Sequence, residues 1–213
     1  FMYDEFFKFY VSGYILNKKA RYFVGQHGSK YGSTKEEKNT IEEITSNKFL
    51  TRGWKNNSKH NVCGIFNTHK KKNLTNVTKL NKLILVFESL PPKRTVEDKS
   101  FKYFERFKNL IIFVKNLSTE IQDKIVFRSQ AKDMNIDYFK NELLKINKNI
   151  IFDNSKDNIY PLEKSNNLAI FFYYSSGFLE LISRNKLSYV FCNIKSDNYL
   201  KSFFQYFKKL KNL

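Results

Sequence analysis

The chain has 213 residues, of which 41% are hydrophobic and an unusual 17% aromatic. That is ample material for a buried core and excludes global disorder. The formal net charge of +18 invites a polyanionic partner, but the basic residues are dispersed and mostly Lys, which favours composition bias over a nucleic-acid-binding face.

Taken in chain order, short strand-like runs alternate with amphipathic helical stretches. Residues 6–16 are aromatic and helix-like, and residues 21–24 are a short strand that ends in a glycine-bearing loop at 25–32. Ser33 or Thr34 is expected to cap a helix with Glu36 and Glu37 in its first turn, running through Ile41 and Ile44 to about Ser46. A brief strand at 49–51 is closed by Gly53 and Trp54. Residues 55–80 are polar, basic and weakly periodic, and read as a linker. The apolar run at 83–87 is typical of a buried parallel strand, and Pro91 and Pro92 break the chain after it. Residues 101–117 suit a helix with Phe104, Phe107, Ile111 and Val114 at helical spacing. Strands at 125–127, 150–152, 168–173 and 189–192 then alternate with helices at 138–146, 176–183 and 199–210. This alternation predicts an α/β fold, a Rossmann-like doubly wound parallel sheet.

Cys63 and Cys192 fit neither a metal nor a redox spacing and suit a reduced, cytosolic setting. No apolar run reaches bilayer-spanning length. The first residue is Phe1, and both ends read as cuts through a longer protein, so a missing signal peptide carries no weight. The tight basic cluster at 70–72 lies in the polar stretch, where His60 and His69 are expected to be solvated. Most aromatics, including Phe101, Phe104, Phe107, Phe203, Phe204 and Phe207, are spaced for helix faces packed on a sheet rather than for base stacking.

In an open parallel sheet, ligands bind beyond the carboxyl ends of the strands. Three segments put polar groups there. The loop Gln26-His27-Gly28-Ser29-Lys30-Tyr31-Gly32 carries an imidazole among glycines. It reads either as a general acid or base, or phosphate donor, or as a structural loop histidine. Ser175, Ser176 and Gly177 open a helix whose free N–H groups favour phosphate, with Glu180 four residues after Ser176, placed to accept hydrogen bonds from a ribose diol. The alternative is an ordinary Ser cap with an exposed Glu. Arg128 ends a strand and suits phosphate or carboxylate, or is a surface arginine. Glu88 and Ser89, after the strand at 83–87, are weaker candidates of the same kind.

The His27 loop, an acidic helix and then Phe49-Leu50-Thr51-Arg52-Gly53-Trp54 together resemble a family of bacterial surface-polysaccharide transferases. Its members carry a His-Gly-Gly-x-Tyr-Gly loop, an acidic helix and a Trp-Gly-Trp ending, and look like relatives of the CDP-glycerol glycerophosphotransferases. The Arg128 strand and the turn from Ser175 to Glu180 follow in the same order, so the resemblance covers most of the chain. Ser29 stands where a second Gly is usual, and Arg52 where Trp is usual.

The resemblance implies the C-terminal half of a GT-B fold plus a remnant of the N-terminal half. Residues 1–54 would end the N-terminal half, 55–80 link, and 81–213 form the nucleotide-sugar-binding Rossmann-like domain. It implies a glycosyl- or polyol-phosphate transferase that needs no cofactor or metal, with a nucleotide-activated donor and a polysaccharide or lipid-linked acceptor. His27 would be the catalytic base or a phosphate contact, in the cleft between the halves. Gly28, Tyr31, Gly32, Ser89, Arg128, Ser175 and Ser176 would bind the donor, and Glu180 its ribose. Peripheral contact with the inner face of an anionic membrane would suit the basic surface. A nucleic-acid-binding module and a truncated nucleotide-binding fragment without activity remain the alternatives.

Overall fold

Near-continuous apolar runs become strands covered on both faces, and the alternating helices supply the cover. The computed structural model of the protein describes residues 4–17, 20–35, 39–64, 80–88, 100–129, 136–153, 166–184, 186–191, 199–200 and 202–203. Its chain divides into two compact units, one made of residues 1–68 and 197–213 and the other of residues 69–196.

The second unit is a five-stranded parallel sheet. Its strands are β4 (Lys82–Val86), β5 (Ile125–Arg128), β6 (Ile151–Asp153), β7 (Asn167–Phe171) and β8 (Ser188–Val190). Their order is β6-β5-β4-β7-β8. The chain winds outward from β4 to β6, then returns to the other side of β4. That reversal between β4 and β7 is a topological switch point, where an open sheet leaves a crevice at its carboxyl edge. The crossovers carry α3 (Ser100–Lys115), α4 (Thr119–Gln122), α5 (Ile136–Leu144) and α6 (Ser176–Ser183).

One face of this sheet carries a core in which aromatic rings mix with Leu, Ile and Val. Leu83, Leu85 and Phe87 pack with Ile125 and Phe127 under Tyr103, Phe107, Leu110 and Val114 of α3 and Phe139 and Leu143 of α5. The Phe107 and Phe139 rings have centroids 4.0 Å apart. Each such buried side chain contributes roughly 1.5–3 kcal/mol. The stripe of α3 that faces the core is therefore 103, 107, 110 and 114 rather than one through Phe104, which is 43% exposed and flanks Tyr138. Phe104 sits one residue, about 100° of helix, from the buried Tyr103.

The first unit is smaller. Its strands β1 (Phe23–Gly25), β2 (Lys48–Arg52) and β3 (His60–Cys63) form a parallel sheet in that order. Helix α1 (Glu5–Leu16) is capped by Asp4, whose Oδ1 accepts the Phe7 N–H at 3.0 Å. Helix α2 (Ile41–Thr45) is a short turn capped by Thr40, not a long helix capped at Ser33 or Thr34. Ser33 instead turns its hydroxyl to the Lys30 carbonyl at 2.6 Å, and Thr34 pairs with Tyr199 in an antiparallel bridge. Through that bridge and the bond from Leu200 N–H to the Ser33 carbonyl (2.8 Å), the chain returns to this unit after β8. The polar stretch at 55–80 also holds a strand: β3 pairs with β2 along four residues. Both sheets are parallel, helices lie between β1 and β2, β4 and β5, β5 and β6, and β7 and β8, and the fold is α/β and Rossmann-like.

Among the described residues, no helix is long and apolar enough to cross a membrane. His69, Cys192, the basic cluster at 70–72, Ser89 and most of the expected helix at 199–210 lie outside the described residues.

Candidate active site

In the first unit the carboxyl ends of β1 and β2 are fastened by Gln26. Its buried amide oxygen accepts the Arg52 N–H (3.0 Å) and the Trp54 indole N–H (2.8 Å), and its Nε2 donates to the Gly28 carbonyl (2.6 Å). All three side-chain bonds of this one residue shape the loop that carries His27. Gly32 closes the loop at φ +72°, and a Cβ there would meet the Trp54 ring at 2.5 Å. Position 32 thus requires glycine both for its left-handed backbone and for the indole pressed against it.

His27 stands at the edge of this loop with its side chain 63% exposed. The Tyr31 hydroxyl donates to Glu42 Oε2 at 2.6 Å, and its oxygen lies 3.2 Å from His27 Nδ1. Because the phenol proton is committed to the carboxylate, the phenol oxygen accepts, and neutral His27 carries its proton on Nδ1. Glu42 Oε2, itself 3.6 Å from Nδ1, favours the same arrangement. The Nε2 lone pair is left facing outward, and no group among the described residues bonds it. A carboxylate, a phenol and an imidazole in series thus fix one tautomer and leave a proton-accepting nitrogen at the carboxyl edge of a parallel sheet.

A second imidazole lies in the same unit. His60 is 1% exposed, which overturns its reading as solvated. Its Nδ1 accepts the Asn56 N–H (3.1 Å), so Nε2 bears the proton and donates to Glu43 Oε1 at 2.8 Å. Asn57 Nδ2 also lies 3.2 Å from Nε2, but two donors cannot share that contact, and the carboxylate takes it. The His60 ring is wedged edge-on against Trp54, with centroids 4.6 Å apart. Its burial was hidden because its neighbours in sequence are Asn, Ser and Lys. The available signal was the strand-like Val62 and Cys63 that follow it. Arg52, where the resembling family has Trp, points Nη2 to the His27 carbonyl at 3.4 Å, and its Nε and Nη1 are buried with no hydrogen-bond partner among the described residues.

In the second unit, polar groups gather at the switch point. Ser175 caps α6, its Oγ accepting the Phe178 N–H at 3.3 Å. The N–H groups of Ser176 and Gly177, first in the helix, have no intrahelical acceptor. Gly177 lets α6 approach β7 closely, since a Cβ there would sit 3.4 Å from the Phe171 ring. Glu180 follows one turn later and is partly buried. Burial pushes the Tyr173 phenol above its ordinary value, helped by the Glu88 charge and opposed by a hydrogen bond with Ser175 and by the Arg128 charge. Glu88, Arg128 and Tyr173 each lie just past or at the carboxyl ends of β4, β5 and β7. Arg128 is 7% exposed and donates to Asp153 Oδ2 at 2.8 Å, and Glu88 pairs with Arg106 of α3. Sequence reasoning had passed over Tyr173, Asp153 and Arg106 as participants.

His27, Gly28, Tyr31 and Gly32 therefore come together in one unit, and Arg128, Ser175, Ser176 and Glu180 belong to the other. Among the described residues no three His, Cys, Asp or Glu side chains cluster as metal ligands.

Parallel sheets with polar groups at their carboxyl ends define a Rossmann-like α/β protein whose candidate residues lie where such sheets bind ligands. Residues 1–212 match the pattern of the LIC12162 family transferases, and the chain belongs to that family. No curated protein and no solved structure matches it.

Proposed function

We propose that this transferase moves a glycosyl or polyol-phosphate group from a nucleotide-activated donor to a hydroxyl of a surface-polysaccharide acceptor, with His27 as general base. The Glu42–Tyr31–His27 series carries the proposal: it holds the imidazole proton on Nδ1 and presents Nε2 to take one more. As the acceptor oxygen attacks the transferred group, its proton passes to Nε2, and the nucleotide leaves with the electrons of the broken bond. The N-terminus of α6 offers two free N–H groups and the Ser175–Ser176 hydroxyls to the donor phosphates. Glu180 then takes the ribose, and Arg128, braced by Asp153, offsets phosphate charge. The reading takes the two parallel sheets, one in each unit, as the two halves of a GT-B fold, and the CDP-glycerol glycerophosphotransferases as relatives.

A thermal-shift screen against CMP, CDP, UDP, GDP and their sugar or polyol conjugates identifies the donor. With that donor, His27→Ala lowers turnover roughly 100- to 10,000-fold while the fold persists. Unchanged turnover removes the imidazole from the chemistry. Glu180→Ala weakens nucleotide binding, and an unaltered affinity rejects its ribose role.

A further inference from the structure

We infer that His60 is a positioning residue, which acts through Glu43 to hold Glu42 against the Tyr31–His27 pair. The inference rests on the reading of His27 as the base but is tested apart from it.

Helix α2 has five residues, too few to be stable alone. What places it is a set of grips, two from His60 and Lys59 at the start of β3 and two from Asn39 and Thr40 just before the helix. Glu43 Oε1 accepts the His60 Nε2–H at 2.8 Å, while its Oε2 accepts the Asn39 N–H at 3.2 Å. Lys59 Nζ donates to the Ile44 carbonyl at 2.8 Å. Thr40 Oγ1 accepts the Glu43 N–H at 3.3 Å. Of the side chains in these grips, His60 is the most buried, and it is fixed in turn by the Asn56 N–H and by Trp54. Glu42 and Glu43 are neighbours on this single turn, so a shift of Glu43 carries Glu42 with it. The Tyr31–Glu42 bond is short at 2.6 Å, and hydrogen bonds weaken steeply with misalignment. Loss of the Glu43 anchor therefore frees the Tyr31 proton from Glu42, and with it the bias of His27 toward the Nδ1–H tautomer.

Imidazole nitrogen NMR of the uniformly 15N-labelled chain, at about pH 8 where histidines are neutral, reads that tautomer directly. The wild type should show His27 mainly Nδ1–H. His60→Leu removes the donated bond and should shift His27 toward Nε2–H, with turnover falling roughly 10- to 100-fold, as for other supporting groups around a reactive imidazole. His60→Gln places an amide N–H near the former Nε2 and should restore both readings. Glu43→Asp, which keeps the charge but shortens the reach, gives the same tautomer shift and serves if His60→Leu does not fold. An unchanged His27 tautomer in both His60→Leu and Glu43→Asp overturns the inference, as does a His60→Gln protein that behaves like His60→Leu. A tautomer shift together with a fully active His27→Ala enzyme would leave the positioning role standing and sink the base assignment instead.

Discussion

The two units are held by different forces. In the five-stranded unit, β4, β5 and β7 and the helices α3 and α5 all feed one apolar cluster. In the three-stranded unit the buried apolar cluster among the described residues is Val24, Tyr31 and Phe49. The space around it is taken by buried polar side chains: Gln26, Glu42, Glu43, Thr51 and His60. An apolar core is non-directional and tolerates small displacements, whereas a buried polar network is stable only when every donor and acceptor is matched. The smaller unit is thus specified by geometry where the larger is specified by volume, which suits a loop that must hold an imidazole in one tautomer.

The comparison breaks first at the larger core. Phe139→Ala removes a ring that touches Phe87, Tyr103, Phe107 and Phe127 and should cost about 3–5 kcal/mol in urea unfolding. A loss below about 1 kcal/mol would show that this core is not closely packed. In the smaller unit, Gly32→Ala sets a methyl into the Trp54 ring at a left-handed backbone position, and should cost about 2–4 kcal/mol. Indole emission checks it, since the ring must move. Ser175→Ala removes the cap of α6 at about 1 kcal/mol, and should weaken binding of a nucleoside diphosphate measured by calorimetry. Equal affinity would separate the cap from the donor.

The smallest effect is alkaline. The folded chain holds the Tyr173 proton more tightly than the unfolded chain does. Its contribution is therefore complete below the ordinary tyrosine value of about 10 and is lost as pH rises through the raised folded value. As pH rises above about 10 the wild type should lose more stability than Tyr173→Phe. Parallel losses would show that this phenol ionises as freely folded as unfolded.

The same contrast explains what could be read from the sequence. The strands at 83–87, 125–127 and 168–173 announce themselves because each is a run of apolar residues, and buried parallel strands need that. Tyr103 escaped notice because Phe104 beside it is equally apolar, and periodicity cannot choose between adjacent rings. His27 was legible from its glycines. Its partners were not, because Glu42 and Glu43 fall inside the stretch expected to be one long helix with Glu36 and Glu37 in its first turn, and nothing local says that both are buried. His60 was misread for a related reason: it is buried against Glu43, on another element, and Trp54, across the turn, while its immediate neighbours in sequence are polar.

Trp54 is the one tryptophan in the chain, and it lies in the smaller unit, bonded to Gln26 and pressed on Gly32 and His60. Light absorbed at the red edge, where tyrosine is silent, therefore interrogates the imidazole loop and leaves the aromatic core of the larger sheet dark. The molecule carries its own optical label for following the melting of one half while circular dichroism follows both.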